Sequence, residues 1–250
     1  MKIAICQPTY LPWIGYFDLI DQVEAFVVLD DVQFEKQSWQ QRNRIKTPLG
    51  LQWLTVPVMF RGRLGQLIKD VEVRDFNFWR NHCRAIELNY RRALFFDAYF
   101  EKLASQLVCS NTTLMANLNI RLMEWFMSIF GIKTLLILSS SLAQTGRRTE
   151  RLVNICKSLG ADQYISPLGS AAYLLEEREM MADHGIDLVF QNYQHPEYRQ
   201  QFTPFIPYAS ALDLLFNEGE QSLEVIKSGR RAPLLPAEVA AQLIKHAYTE

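Results

Sequence analysis

The stretch KIAICQPTYLPWIGYFDLI, residues 2–20, decides the fold together with AFVVLDD at residues 25–31. The first stretch begins as a short apolar run that stops at Gln7, and after two prolines its apolar residues recur at helical spacing. The second stretch is an apolar run that ends in Asp30 and Asp31. A strand, a loop, a helix and a second strand form a βαβ unit. Because ligands of parallel sheets bind beyond the carboxyl ends of the strands, Gln7 and the two aspartates are candidate site residues.

The same alternation returns late in the chain. Apolar runs at 132–138, 163–166 and 188–191 predict strands, and helical patterns lie between them at 149–159 and 171–184. This alternation predicts an α/β fold with a mostly parallel, Rossmann-like sheet and flanking helices.

Between the two halves, apolar residues at helical spacing predict an inserted helical layer over about 76–130. Short strands are expected before it, at 53–58 and 67–73. We expect a single α/β domain over residues 1–225, followed by a C-terminal tail with a short helix over 226–250.

The bulk composition disfavours several classes of function. The 250 residues are 49% hydrophobic and 21% charged, with a formal net charge of −1, which gives no general attraction to nucleic acid or anionic membrane. No apolar run reaches the ~20 residues of a membrane span, and no signal-peptide pattern opens the chain. We therefore expect a cytoplasmic protein with a small-molecule substrate. Four widely spaced cysteines without a CxxC pair predict buried, reduced thiols.

Several motifs together resemble the WbqC-like family. They are QPTYLPWIGYF at 7–17, LDDVQF at 29–34, WQQRN at 39–43, LGADQYIS at 159–166, QNYQHPEY at 191–198 and SALDLLFNEG at 210–219. The resemblance covers roughly residues 1–225. It implies a role in bacterial surface-polysaccharide biosynthesis, such as that of O-antigen, or in specialised metabolism, and it leaves the reaction undefined.

The first loop and helix also have a weaker, partial resemblance to adenylyl-transferring enzymes of the nucleotidyltransferase and pantothenate-synthetase type. This resemblance implies a HUP-like variant of the Rossmann-like fold and nucleotide binding. Those enzymes carry a His-x-Gly-His motif at the helix start, where Gly15 matches but Trp13 and Tyr16 replace both histidines. The aromatic pair is suited instead to clamping a base or a sugar ring.

Two further segments offer groups for an anion. Trp39, Arg42 and Asn43 lie in a predicted loop, where Arg42 can pair bidentately with phosphate or carboxylate; a solvated surface loop is the alternative. Ser166, Gly169 and Ser170 precede a predicted helix and can donate to phosphate, or form an ordinary helix cap. The candidate substrate- or nucleotide-binding residues are Gln7, Tyr10, Trp13, Gly15, Tyr16, Gln33, Trp39, Arg42, Asn43, Ser166, Gly169 and Ser170.

Asp31, Asp30 and His195 are the candidate catalytic residues. Either aspartate can hold a magnesium-bound nucleotide or accept a proton, and His195 can serve as an acid or base or be structural.

The leading hypothesis is a transferase or ATP-dependent ligase that places an acyl or aminoacyl group on an amino or hydroxyl acceptor. ATP and Mg²⁺ are its expected cofactors, and an amino sugar, nucleotide sugar or amino acid is its substrate. The alternative is a non-catalytic carrier or scaffold protein of a biosynthetic complex. The sequence leaves the metal ligands and the oligomeric state open.

Overall fold

The computed structural model describes residues 1–108 and 113–247. Its strands are β1 Lys2–Cys6, β2 Ala25–Val28, β3 Arg42–Thr47, β4 Gly50–Thr55, β5 Leu135–Leu138, β6 Gln163–Ser166 and β7 Asp187–Phe190. Five of them form one sheet in the order β5-β2-β1-β6-β7, and all its neighbouring strands are parallel. This sheet confirms the predicted α/β, Rossmann-like fold, while the HUP-like variant stays a prediction.

The strand order places a crevice at the centre of the sheet. The chain builds outward from β1 through β2 and β5, then returns to the other side of β1 for β6 and β7. The connections after β1 and β6 therefore leave in opposite directions, and the space between them is where sheets of this kind bind ligands.

The helices cover both faces of the sheet. They are α1 Ile14–Asp21, α2 Phe78–Tyr90, α3 Phe96–Leu107, α4 Met115–Phe130, α5 Ser139–Leu142, α6 Arg148–Ser158, α7 Ala171–Glu176, α8 Arg178–Asp183, α9 Ala211–Glu218, α10 Ser222–Ser228 and α11 Pro236–Ala247. Helices α2 to α4 lie between β2 and β5 in the chain and form the predicted helical layer. The helix predicted over 171–184 is divided, because the backbone of Glu177 leaves helical geometry at φ −108° and ψ 17°.

The region between β2 and α2 departs from the prediction. β3 and β4 form an antiparallel hairpin in which Arg42 lies opposite Thr55, so the strand expected at 53–58 begins and ends earlier. The residues 67–73 form no strand and contain a 3₁₀ turn at Ile68–Asp70. The prediction missed β3 because its sequence, RNRIKT, is mostly polar.

Two apolar clusters form the core, one on each face of the sheet. Phe26 and Val28 of β2 point into the larger cluster, which the helical layer covers, whereas Ala25 and Val27 point into the smaller one. All four residues are buried, as expected for a strand of a sheet covered on both faces.

The segment after residue 225 contacts the sheet directly. Leu234 and Phe190 exchange backbone hydrogen bonds, and Val239 of α11 is buried in the smaller cluster. Among the helices of the described residues, none has the length and apolar character that crossing a membrane requires. Cys83 and Cys156 are buried free thiols and Cys6 is half-buried; Cys109 lies outside the described residues.

Candidate functional site

A cavity of about 800 Å³ lies at the carboxyl ends of β1 and β6. We call it the main cavity. Its walls come from the loop after β1, helix α1, the segment 35–40, the connection from β6 to α7, and the loop after β7. This position is the switch point of the strand order, as the sequence predicts for a ligand site. The candidate binding residues that line it are Gln7, Trp13, Gly15, Tyr16, Trp39, Gly169 and Ser170.

Three glutamine side chains fix hydrogen-bonding groups in the main cavity. Gln40 donates its amide N–H to the Oε1 of Gln7 at 2.8 Å, which leaves the amide nitrogen of Gln7 as a donor. Gln191 donates to the carbonyl oxygen of Gly15 and to Asp18 Oδ2, both at 2.8 Å. Its Oε1 has no donor among the described residues, so the cavity holds one oriented donor amide and one oriented acceptor amide.

Helix α4 supports the loop after β1 and the segment that contains Gln40. Asn119 is fully buried and donates its side-chain amide to the carbonyl oxygen of Gln40 at 2.7 Å and to that of Pro8 at 3.4 Å. The helical layer therefore holds both the loop after β1 and the segment that orients Gln7.

Trp13, Tyr193 and Tyr208 form an aromatic wall on one side of the main cavity. The ring of Trp13 lies 5.6 Å from that of Tyr193, 6.1 Å from that of His195 and 5.4 Å from that of Tyr208. A Cβ atom on Gly15 would approach the Trp13 ring to 2.1 Å, so glycine is required for the ring to occupy this position. Such rings offer flat apolar faces to the C–H face of a sugar or to a base.

The loop that carries three of these rings is held by a buried carboxylate. Asp213 accepts hydrogen bonds from Tyr90 at 2.9 Å, Tyr198 at 2.8 Å and Gln200 at 2.7 Å. Burial raises the pKa of Asp213, and these donors and Lys46 partly offset the increase. The network ties the loop after β7 to α2 and α9.

A side cavity of about 260 Å³ adjoins the main cavity. The two share Thr9, Trp13, Tyr16, Trp39 and Tyr208, and the side cavity adds Asn43 and Arg44 of β3. Asn43 is buried and donates to the carbonyl oxygens of Tyr10 at 3.2 Å and Leu11 at 2.8 Å, which fixes the loop after β1.

The two aspartates at the end of β2 lie outside both cavities. Asp31 accepts hydrogen bonds from Ser139 Oγ at 2.6 Å and from Arg151 at 2.5 Å. Asp30 is buried and accepts from the backbone N–H of Ser140 at 2.9 Å and from its hydroxyl at 2.7 Å. The structure does not place Asp31 in the cavity that Gln7 lines, because Ser139 of α5 and Arg151 of α6 hold it at the neighbouring strand ends. The chemical roles of both aspartates stay predictions.

Four other candidates also lie away from the cavities. Tyr10 is fully buried with its hydroxyl 2.7 Å from His82 Nδ1, and Ser166 is buried with its hydroxyl bonded to the Pro167 carbonyl oxygen at 3.2 Å. Gln33 is exposed on the segment that pairs with Leu67. Arg42 packs with its guanidinium carbon 4.1 Å from the centre of the Trp53 ring, outside the cavity lining. Their roles in binding stay predictions.

His195 lies behind the aromatic wall rather than in the main cavity. It lines an open cleft next to Tyr193 and Tyr208, its Nδ1 is 2.9 Å from the Pro196 carbonyl oxygen, and its Nε2 accepts from the Tyr208 backbone N–H at 3.1 Å. Burial lowers the pKa of His195, although the bond to Pro196 partly opposes the shift. The neutral ring, protonated at Nδ1, fits these two bonds.

Two further observations bear on the chemistry available here. Burial raises the pKa of the Cys6 thiol to about 12, so this cavity residue is a neutral thiol and not a nucleophilic thiolate at neutral pH. No group of three or more His, Cys, Asp or Glu side chains in the described part of the chain is arranged to hold a metal ion. The oxygens of Asp31 are already engaged by Ser139 and Arg151, so these residues do not fit a preformed magnesium site.

Several lining residues were missed by the sequence reasoning. Glu35, Gln40, Arg44, Tyr193 and Tyr208 line the two cavities. For Arg44 the strand period could have been a signal only if β3 had been predicted, and its segment was predicted as a loop. For the others no local signal exists, since only the fold brings the segments 35–40 and 191–210 to the loop after β1.

Comparison with known proteins gives a family and no function. The family model described as "WbqC-like protein family" matches residues 7–225, and the chain belongs to this family. A Mycobacterium tuberculosis protein described as the uncharacterized protein Rv1507c is 36% identical over 231 residues, which cover 92% of this chain and 99% of that protein. No solved structure matches the chain.

Proposed function

We propose that this protein is a biosynthetic enzyme of bacterial surface polysaccharide or specialised metabolism. In this proposal the main cavity binds an amino sugar, and the enzyme transfers or ligates an acyl or aminoacyl group to an amino or hydroxyl group of that sugar. Membership of the WbqC-like family supports the biosynthetic setting. The cavity supports the choice of substrate.

The observation that carries the proposal is the combination of oriented amides with an aromatic wall. Gln7 supplies a donor, Gln191 supplies an acceptor, and Trp13 supplies a flat apolar face. A sugar ring presents hydroxyl groups around its edge and C–H groups on its faces, so it matches such a lining. The volume of about 800 Å³ also lies within the usual range for small-molecule sites.

In this proposal the lining contributes to the reaction mainly by positioning the acceptor. The amides and the ring would hold the acceptor so that its nitrogen or oxygen faces the acyl carbonyl carbon of the donor. The nucleophile forms the new bond to carbon, and the donor's leaving group departs with the electron pair of the bond that breaks. Among the described residues, Glu35 is the carboxylate that lines the main cavity, and we propose that it accepts the proton of the acceptor group.

ATP and Mg²⁺ belong to the ligase form of this proposal. A carboxylate oxygen of the donor would bond to a phosphorus of ATP with release of pyrophosphate or ADP, and the activating group would leave when the acceptor attacks the carbonyl carbon. Magnesium would supply neutralisation of the nucleotide phosphates, and Asp31 does not fit as its ligand because it is paired with Arg151.

Thermal shift measurements test the proposal directly. Amino sugars, nucleotide sugars, amino acids and nucleotides are screened, each with and without magnesium. A ligand at about 100 times its Kd stabilises the native state by about 2.7 kcal/mol, which is readily measured. We expect amino sugars or their derivatives to raise Tm, and a screen in which no sugar does so contradicts the proposal.

A pair of tryptophan substitutions locates the binding. Trp13→Leu removes the ring from the main cavity and should abolish the shift in Tm that a sugar causes. Trp125→Leu removes a partly buried tryptophan of the helical layer and should leave that shift intact. Equal shifts in both variants would place the sugar elsewhere.

A non-catalytic carrier is the second candidate function. The observation that favours it is the pairing of Asp30 and Asp31, which leaves these carboxylates engaged by protein groups. Binding of a sugar without turnover in the presence of every acyl donor class would support the carrier. Turnover that depends on Glu35 would support the enzyme.

A further inference from the structure

We infer that the side cavity is a phosphate subsite, and that the sugar bound in the main cavity carries a phosphate ester. Arg44 is the residue that would bind the phosphate. This inference rests on the proposed function, because the sugar ring is placed in the adjoining main cavity. It narrows the substrate from amino sugars in general to sugar phosphates and nucleoside-diphosphate sugars.

Arg44 has no counter-charge among the residues that the structure describes. Its guanidinium makes no hydrogen bond or ion pair with another described residue, and its Nε is buried without an acceptor. Within residues 1–108 and 113–247, no acidic residue lines the side cavity. A buried donor without a partner is costly, and an anionic oxygen from a ligand satisfies both the donor and the charge.

Two tryptophans flank the Arg44 side chain. The guanidinium carbon of Arg44 lies 5.3 Å from the ring centre of Trp39 and 5.4 Å from that of Trp53. These cation–π contacts keep the guanidinium beside the two rings, and they use none of its N–H groups as hydrogen-bond donors. Planar paired N–H donors match the oxygens of a phosphate, so the arrangement is an oriented anion receptor.

The side cavity adjoins the main cavity. They share Trp13 and Tyr16, so a sugar against the Trp13 ring has the side cavity next to it. The volume of about 260 Å³ leaves room for a phosphate. Trp39 and Trp53 are 47% and 41% exposed, so their rings also offer a surface to a nucleobase beyond a diphosphate.

Four probes test the inference: glucosamine, glucosamine 1-phosphate, UDP-glucosamine and inorganic pyrophosphate. Their affinities are measured by calorimetry and by tryptophan fluorescence. A charge-assisted hydrogen bond corresponds to roughly 10- to 100-fold in affinity. We expect both phosphorylated sugars to bind at least about tenfold more tightly than glucosamine. A larger gain for UDP-glucosamine identifies the nucleoside diphosphate as the source of the phosphate, and equal gains identify a simple sugar phosphate.

Variants at β3 supply the controls. Arg44→Gln should remove the gain from phosphate while glucosamine affinity is unchanged, and Arg44→Lys, which keeps the charge, should recover part of it. Arg42→Gln is the matched control, because Arg42 lies on the same face and against the same Trp53 ring but outside the cavity. Its affinities should equal those of the wild type, and melting temperatures show that each variant is folded.

The outcomes separate this inference from the proposed function. Pyrophosphate binding that requires Arg44, in a protein that binds no glucosamine, supports the phosphate subsite and contradicts the sugar assignment. Glucosamine binding that depends on Trp13, with no gain from phosphate, supports the sugar and overturns the subsite. The subsite is also overturned if Arg44→Gln retains the gain.

Discussion

The carboxyl edge of the sheet contains two polar regions that differ in how their groups are satisfied. At β2 and β5, Asp30 and Asp31 are paired with Ser139, Ser140 and Arg151. At β1 and β6, the groups are mostly neutral, and several of them, such as the amide nitrogen of Gln7, keep hydrogen-bonding capacity. A charged residue at a strand end is therefore a poor indicator of a ligand site when other residues of the protein pair with it. A polar group in a cavity that still lacks a hydrogen-bond partner is a better indicator.

The largest expected effect concerns the paired region. Asp31→Asn should lower the free energy of unfolding by about 3 kcal/mol, because Arg151 loses its carboxylate in a site where both side chains are mostly buried. Sugar binding in the main cavity should be unchanged. Chemical denaturation and calorimetry measure the two quantities.

Asp162→Asn is the control for this substitution. Asp162 pairs with the N-terminal amine, but its side chain is 77% exposed, so its replacement should change stability little. If Asp31→Asn instead abolishes turnover while stability and sugar affinity are unchanged, Asp31 takes part in the chemistry. The contrast drawn here between a paired structural region and a neutral binding region would then be wrong.

The second prediction concerns the aromatic wall of the neutral region. Gly15→Ala places a Cβ atom 2.1 Å from the Trp13 ring, so the ring must leave its position. We expect stability to fall by about 2 kcal/mol and sugar affinity to fall by at least tenfold. Gly169→Ala is the matched control, because Gly169 also lines the main cavity but its Cβ would meet no atom within 4 Å. Equal losses in both variants would contradict the role given to the ring.

The third prediction concerns the orientation of Gln7. Gln40→Glu replaces the amide donor opposite Gln7 Oε1 with an acceptor, so the Gln7 amide should rotate and present its oxygen to the cavity. We expect a loss of about 1 kcal/mol in sugar binding, or roughly fivefold. Gln52→Glu, an exposed position of β4, should have no effect. Unchanged affinity in Gln40→Glu would show that Gln7 does not contact the ligand.

The smallest expected effect is a pH dependence in the neutral region. Because burial holds the pKa of folded His195 below its ordinary value of 6.5, the unfolded state takes up a proton first on acidification. The stability from this residue is present above pH 6.5 and is lost as the pH falls through the pKa of the folded state. His195→Asn should reduce the dependence of Tm on pH below 6.5, whereas the exposed His184→Asn should not. Part of the dependence should remain in His195→Asn, because burial also lowers the pKa of His82, to about 4. A dependence as large as that of the wild type would show that His195 does not contribute.

The fold could be predicted because its signals are local. The runs in β1, α1 and β2 are contiguous, and their order alone indicates a parallel sheet with its ligand crevice at the carboxyl edge. The placement of Asp31 could not be predicted, since its partners Ser139 and Arg151 are 108 and 120 residues away in the chain.

The motif around the first loop mixes residues with different tasks. Tyr10 and Trp13 belong to one short run, yet Tyr10 is fully buried with its hydroxyl against His82, while Trp13 forms a cavity wall. The side chains of this proline-containing loop follow no regular period, so the sequence gives no basis for deciding which of its aromatic residues point inward. Only the packing of the helical layer against the loop separates them.

Asn119 has a consequence for anyone who wishes to miniaturise this protein. The helical layer is an insertion between β2 and β5, so excising residues 76–130 and rejoining the sheet looks like an economical way to a smaller scaffold. Such a chain would lose the hydrogen bonds from Asn119 to the carbonyl oxygens of Gln40 and Pro8, which hold two segments that line the main cavity. A graft of the binding function onto another parallel sheet would have to transplant helix α4 together with the first loop.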